Sequence, residues 1–317
     1  MKIVILDSGY KSYQFEKELF EENGFELKIH PTYKGEKAEK VQFAKDADGI
    51  LVRHTRIDEE FLSEMKNLKA VVRYGVGYDN IDVAACSRFG VKVANVQGYA
   101  NHAVSDHALA LMFSCSRALW NTKQQITERF AAPPVEDIFE LHDKTLGIIG
   151  LGRIGSVLAK KAASLFKEII AADPYKTQKY CNRFSVRKVD LTELLQTSHV
   201  ISLHCNLTEE TRHILNEKTF SATGKKPVII NTSRGETIDE MALIQALNTC
   251  KIHSAGLDVF ENEPTSELQK PLINHPRIIC TGHYAWYSDY AAVELQKRAA
   301  QNLLNLLKGK EVEDSLN

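Results

Sequence analysis

Two α/β domains, each built around a doubly wound parallel sheet, are what this 317-residue sequence predicts. Short β-branched runs alternate with helical patterns along the chain, the signature of parallel βαβ units. The alternation is interrupted once, by a long helical pattern at 101–119, which parts the strands into two series. A chain of this length can bury two ordinary cores.

The first series comprises the apolar runs at 2–6, 26–30, 49–52, 70–73 and 92–95. The dividing helix carries Ala103, Val104, Ala108, Leu111, Met112 and Cys115 at helical spacing, which predicts one buried face. Regularity then breaks at 131–134, with the pair Pro133 and Pro134. The second series follows at 146–149, 169–172, 185–189, 200–203, 228–231, 254–259 and 278–280. A last helix at 289–307 places Ala292, Leu295, Ala299, Leu303 and Leu306 on one side, and that side needs a core to cover. The economical solution returns it to the first domain. The expected division is therefore 1–98 with 285–317, and 99–284 as an insertion. The polar tail, 308–317, is expected to fray.

Composition narrows the class of partner. Forty basic against 41 acidic residues leave a formal charge of −1, and no basic block exceeds a pair, which argues against nucleic acid. The six cysteines never form a Cys-x-x-Cys pair and read as reduced, mostly buried thiols, with no metal site. The first apolar run is too short for a signal-peptide core and no stretch reaches 18 apolar residues, so a soluble cytoplasmic protein without a membrane partner is expected.

The sharpest motif is Gly150-Leu151-Gly152-Arg153-Ile154-Gly155, directly after the apolar run at 146–149. In a strand-to-helix turn of this kind Gly150 makes the tight bend, Gly152 lets backbone N–H groups approach a pyrophosphate, and Gly155 lets the helix close on its strand. The helix that Arg153 and Ile154 open then aims its positive end at the anion. Asp173 closes the next strand, 18 residues after Gly155, where a carboxylate accepts from ribose hydroxyls and repels a 2′-phosphate. NAD is the expected cofactor, in a Rossmann domain. A plain sharp turn, or an S-adenosylmethionine site, would explain the glycines alone.

A hydride carrier needs a partner that holds a carbonyl and manages one proton. Arg234, Glu263 and His283 each lie just beyond an apolar run, where open α/β sheets place ligands. The Arg234 fork suits a carboxylate and its neighbouring carbonyl, or an ion pair with a nearby acid. His283 can exchange a proton near neutrality, or serve as one of eleven surface and packing histidines. Glu263 would favour the imidazolium if it touches His283, and is otherwise a solvated loop acid.

Together these segments resemble the D-isomer-specific 2-hydroxyacid dehydrogenase family over nearly the whole chain. The carriers are GLGRIG at 150–155, SLHCNLT at 202–208, NTSRGETIDE at 231–240, GLDVFENEP at 256–264 and GHYAWYS at 282–288, with VRYGVGYDNID at 72–82 and NVQGY at 95–99. The resemblance implies a flavodoxin-like substrate-binding domain around the Rossmann insertion, and a homodimer joined through the linking helix. It also implies that Arg234 binds the substrate carboxylate, His283 is the acid/base and Glu263 orients it. By the same resemblance Asp258 holds the nicotinamide carboxamide, His204, Cys205, Thr232 and Ser233 line the cofactor, and Gly75, Val76 and Gly77 receive the carboxylate. Gly282 and Asn206 replace frequent prolines, and Ser233 a frequent alanine; Gly282 is expected to loosen the loop that aims His283.

Arg53, His54, Arg73, Tyr99 and Trp286 are candidates for the substrate walls, the arginines for a second anionic group. The leading expectation is an NAD-dependent oxidoreductase interconverting a small 2-keto acid and its D-2-hydroxy acid. Because Arg73 and Trp286-Tyr287-Ser288 resemble the branch that includes the C-terminal binding proteins, the alternative is an NADH-sensing scaffold with a vestigial site.

Overall fold

A computed structural model describes residues 1–33, 35–121 and 134–317, so 131–133 of the expected break lie outside the described residues. The chain divides into two compact units, 1–99 with 288–317 and 100–287. These limits differ from the expected ones by one residue at the first crossing and three at the second.

The first unit holds β1 (Lys2–Ile5), β2 (Glu26–Ile29), β3 (Gly49–Val52), β4 (Ala70–Arg73) and β5 (Lys92–Ala94). They form a wholly parallel sheet in the order β2-β1-β3-β4-β5. This is the flavodoxin-like order, with its topological switch between β1 and β3. β3 is buried at every position, as a central strand covered on both faces must be. The terminal helix, Asp289–Leu307, packs on β3, β4 and β5 and buries Leu295, Ala299, Leu303 and Leu304. At Gly49 an added Cβ would meet Leu307 and Leu303 methyls at 2.9 and 3.1 Å, so the helix sits close because that strand lacks a side chain there.

The tail after this helix is not frayed. Leu316 donates from its N–H to Val93 at 2.8 Å, Asn317 accepts from the Val93 N–H at 2.7 Å, and buried Asp314 pairs with Arg298 at 2.8 Å. Polar composition misled the expectation because these side chains satisfy backbone groups at the edge of β5.

The second unit holds β6 (Thr145–Ile149), β7 (Glu168–Ala172), β8 (Arg187–Lys188), β9 (Val200–Leu203), β10 (Val228–Asn231), β11 (Ser254–Leu257) and β12 (Ile278–Cys280). The order β12-β11-β10-β9-β6-β7-β8 is parallel throughout and places the switch between β6 and β9, the dinucleotide-binding arrangement. The helix Asn101–Ser116 covers β10, β11 and β12, burying Val104, Ala108, Leu111, Met112 and Cys115. An added Cβ at Gly256 would lie 2.8 Å from the Leu111 Cβ, so helix and sheet meet with no layer between them.

Candidate active site

The glycine motif bends between β6 and the helix Arg153–Ala162. Gly150 has φ +92°, and a Cβ there would strike the Cys205 backbone N at 2.6 Å, so only glycine permits this turn against the loop after β9. A Cβ on Gly155 would fall 2.3 Å from the Gly150 carbonyl oxygen. Gly152 is the opposite case: nothing lies within 4 Å of its Cβ position, which leaves the helix N-terminus open to an anion.

Asp173 follows β7 and ties this turn together. Its carboxylate accepts from the Leu151 and Tyr175 N–H groups, each at 2.9 Å, which holds it at the mouth of the phosphate turn. Nearby, His204 is half-buried and its Nε2 meets the Ser202 hydroxyl at 2.9 Å. Burial alone pushes its imidazole down to about 4, so it is neutral at physiological pH. Its Nδ1 and the Thr232 hydroxyl are buried without a hydrogen-bond partner. Orphaned polar atoms beside an open helix N-terminus fit a polar cofactor running along the strand ends. Burial likewise pushes Cys205 up to about 11 and keeps the thiol protonated. Asp173→Ala is expected to narrow the kcat/KM preference for NADH over NADPH; an unchanged ratio would remove Asp173 from cofactor discrimination.

Arg234 stands in the turn after β10, and buried Asn231 shapes that turn. Asn231 Oδ1 accepts from the Ser233 N–H and hydroxyl at 3.0 and 2.9 Å, while its Nδ2 donates to the Arg234 carbonyl at 2.9 Å. One guanidinium N–H returns to the Ser233 carbonyl at 2.8 Å. Gly235 allows this turn to press on the segment after β11, since a Cβ would fall 1.9 Å from the Phe260 carbonyl carbon. That segment carries Glu263, whose carboxylate accepts from the Phe260 N–H at 3.0 Å and pairs with His283 Nδ1.

Burial pushes the Glu263 carboxyl up, but the His283 hydrogen bond and charge, the Phe260 N–H and the Arg234 guanidinium outweigh it, and the net direction is down. The three residues are thus one electrostatic group. The sign follows from the lowered value: the stabilisation is fully present above the ordinary 4.5 and is lost as pH falls through the lower folded value. Glu263→Gln removes the negative charge that favours the imidazolium. The imidazole then loses its charged partner at Nδ1, and kcat for reduction should fall by about tenfold or more; an unchanged kcat would show that Glu263 does not orient His283.

Because Nδ1 faces Glu263, Nε2 is the nitrogen left for a reactant. His283 itself has φ +54°, a left-handed backbone that a non-glycine residue adopts only where its surroundings hold it. Asp258 does so: its carbonyl accepts from the His283 N–H at 2.8 Å, and its carboxylate accepts from the Tyr284 and Ala285 N–H groups at 3.1 and 2.9 Å. This anchoring also explains why 285–287, with Trp286 edge-on to Tyr287 at 5.3 Å, belongs to the second unit and not the first.

The remaining candidates gather in the first unit, at its own switch point. Asp7, after β1, accepts from the N–H groups of Arg53, His54 and Thr55 at 2.8 to 3.0 Å and pairs with buried Lys40. Burial opposes its ionisation, but Lys40 and Thr55 prevail and lower it to about 2. The loop it clamps sets the Arg53 guanidinium over the Tyr10 and Tyr33 rings at 4.9 and 5.3 Å, with His54 Nε2 on the Tyr33 hydroxyl at 2.6 Å. Arg73 reaches Asn80 at 3.2 Å and lies over Gly75, φ +144°, where a Cβ would meet its guanidinium at 2.0 Å. Val76 is exposed, Gly77 intermediate, and Tyr99 buried.

Fold and site define an α/β oxidoreductase that uses a dinucleotide. The sequence profile of the D-isomer specific 2-hydroxyacid dehydrogenase NAD binding domain matches residues 109–285. A hydroxypyruvate reductase of Thermotoga maritima is 36% identical over 85% of this chain and 86% of its own length. A D-3-phosphoglycerate dehydrogenase of Archaeoglobus fulgidus is 32% identical over 93% of this chain, which spans only 56% of that relative. The crystal structure of an Aquifex aeolicus D-lactate dehydrogenase complexed with NAD and lactic acid superposes with TM-score 0.86 at 27% identity, covering 98% of this chain and 96% of that one. The chain belongs to the D-isomer-specific 2-hydroxyacid dehydrogenase family and is an NAD-dependent oxidoreductase of that class. The scaffold alternative finds no support among these relatives.

Neither Asn231 nor Asp7 stood out in the sequence as a functional residue. Each is a polar residue at the carboxyl end of a buried strand, and that position was the signal available.

Proposed function

We propose that the chain reduces a small 2-keto acid to the D-2-hydroxy acid through Arg234, Glu263 and His283. The observation that carries this is the contact of His283 Nδ1 with Glu263, on a segment against which the Arg234 turn packs through Gly235. NADH, when bound, supplies the hydride. The Arg234 fork receives the substrate carboxylate and polarises the carbonyl; His283 Nε2 gives its proton to the carbonyl oxygen as that oxygen gains charge. Hydride and proton together convert C=O to CH–OH. Glu263 holds the imidazolium in line and offsets its charge.

Gly152, Arg153, Ile154 and Gly155 would cradle the pyrophosphate beyond the Gly150 turn, and Asp173 the ribose. His204, Cys205, Thr232 and Ser233 would line the path to the nicotinamide. Asp258 would hold the nicotinamide carboxamide. In the first unit the backbone at Gly75, Val76 and Gly77 would receive the carboxylate, while Arg53, His54, Arg73 and Tyr99 select the remainder of the acid; Trp286 would add an apolar wall. A cytoplasmic homodimer joined through the helix Asn101–Ser116 completes the reading, supported by exposed Phe113 at its end. Light scattering at twice 35.7 kDa tests it.

A panel of glyoxylate, pyruvate, hydroxypyruvate and longer 2-keto acids with NADH, followed by absorbance, tests the activity. Turnover of at least one is expected. No turnover of any, with NADH shown to bind, would overturn the proposal.

A further inference from the structure

We propose that His107 is a positioning residue that fixes the His283 loop through Thr281 and Asp258. The inference rests on the reading of His283 as the acid/base. It begins from a disparity: among the described residues nothing lies within 4 Å of the Cβ position of Gly282, immediately before His283, so no side-chain packing there aims the loop. Yet His283 occupies a left-handed backbone that requires restraint. The restraint comes from Asp258, and Asp258 is itself held from behind.

The Thr281 hydroxyl donates to Asp258 Oδ1 at 2.6 Å. A hydroxyl has one proton, and a carboxylate can only accept. The contact at 2.9 Å between His107 Nε2 and the Thr281 oxygen is therefore an imidazole N–H donating to that oxygen. The tautomer of His107 follows from this, with the proton on Nε2. Its ring also lies 3.6 Å from Asp258 Oδ1 and edge-on to Tyr284 at 5.3 Å. The hydrogen bonds run in one direction, from the His107 N–H to the Thr281 hydroxyl and from that hydroxyl to the Asp258 carboxylate, and each polarises the next.

His107 lies inside the helix Asn101–Ser116, which packs directly on β10, β11 and β12. The loop is thereby referred to a rigid element rather than to its flexible neighbour. Without the His107 donor, Thr281 can turn to another acceptor, and Asp258 loses the bond that fixes its carboxylate beneath the Tyr284 and Ala285 N–H groups. His283 would then sample orientations that miss the carbonyl, and misplacement near 1 Å can cost about 100-fold in rate.

The test is steady-state kinetics with NADH and the best of the 2-keto acids above, with NADH affinity by fluorescence. His107→Leu should lower kcat by about tenfold or more, with KM for the 2-keto acid within about threefold of the parent. His107→Gln, which returns an N–H donor at similar reach, should recover most of the loss. Thr281→Val should reproduce it, and the double variant should be no worse than the weaker single one. Unchanged kcat in His107→Leu, additive losses in the double variant, or no recovery with Gln would overturn the proposal. If His107→Leu does not fold, the Gln and Val variants still decide it, because Gln must resemble the parent and Val must not. Should His283→Ala itself keep its turnover, the reading of His283 fails, independently of His107.

Discussion

His283→Ala is expected to cut the turnover of 2-keto acids by about 10²- to 10⁴-fold, the range that a positioned acid/base contributes, while NADH binds almost as before. The asymmetry comes from the geometry. Nδ1 is committed to Glu263, so Nε2 faces the reactant, and the phosphate turn at Gly150 to Gly155 and the Asp173 carboxylate are built without His283. The loop's backbone contacts to Asp258 come from N–H groups and survive the substitution. Stopped-flow absorbance for turnover and fluorescence titration for NADH check the two halves separately. Turnover at the parental rate would mean that another group delivers the proton.

Arg234→Lys should be nearly as damaging although it keeps the charge. A charge-assisted hydrogen bond contributes about 1.5 to 3 kcal/mol, so losing one arm of the fork corresponds to about 10- to 150-fold in kcat/KM. Lysine cannot span a carboxylate and an adjacent carbonyl in one plane. Nor would it make the guanidinium contact to the Ser233 carbonyl at 2.8 Å, by which Arg234 is aimed. Both KM and kcat should suffer if, as proposed, the fork binds the ground state and polarises the reacting carbonyl. Equal kinetics in Arg234→Lys would show that only a positive charge is needed there.

Strands and the phosphate turn were legible in the sequence because each rests on local rules: β-branched runs make strands, Gly150 takes a positive φ, and Gly155 closes on the Gly150 carbonyl in the same turn. The site trio was legible only as separate candidates until the family resemblance joined them. The Arg234 turn and the segment that carries Glu263 come together because Gly235 lets two loops press together, and a glycine's neighbour across the sheet cannot be read from spacing. The supporting polar groups were illegible for a related reason. Asp7, His107 and Thr281 act through partners on other elements, which spacing along the chain does not disclose, whereas Asn231 acts within its own turn. The tail failed the other way: Asp314 and Asn317 look solvated in sequence, yet they pair with Arg298 and the edge of β5.

The most direct test of the central claim is a crystal structure with NADH and oxamate, an unreactive 2-oxo acid analogue. The oxamate carboxylate is expected on the Arg234 guanidinium and its keto-position oxygen within hydrogen-bond reach of His283 Nε2, with Glu263 still on Nδ1. Oxamate bound away from Arg234, or an imidazole turned from it with Nε2 on a protein group, would contradict the claim.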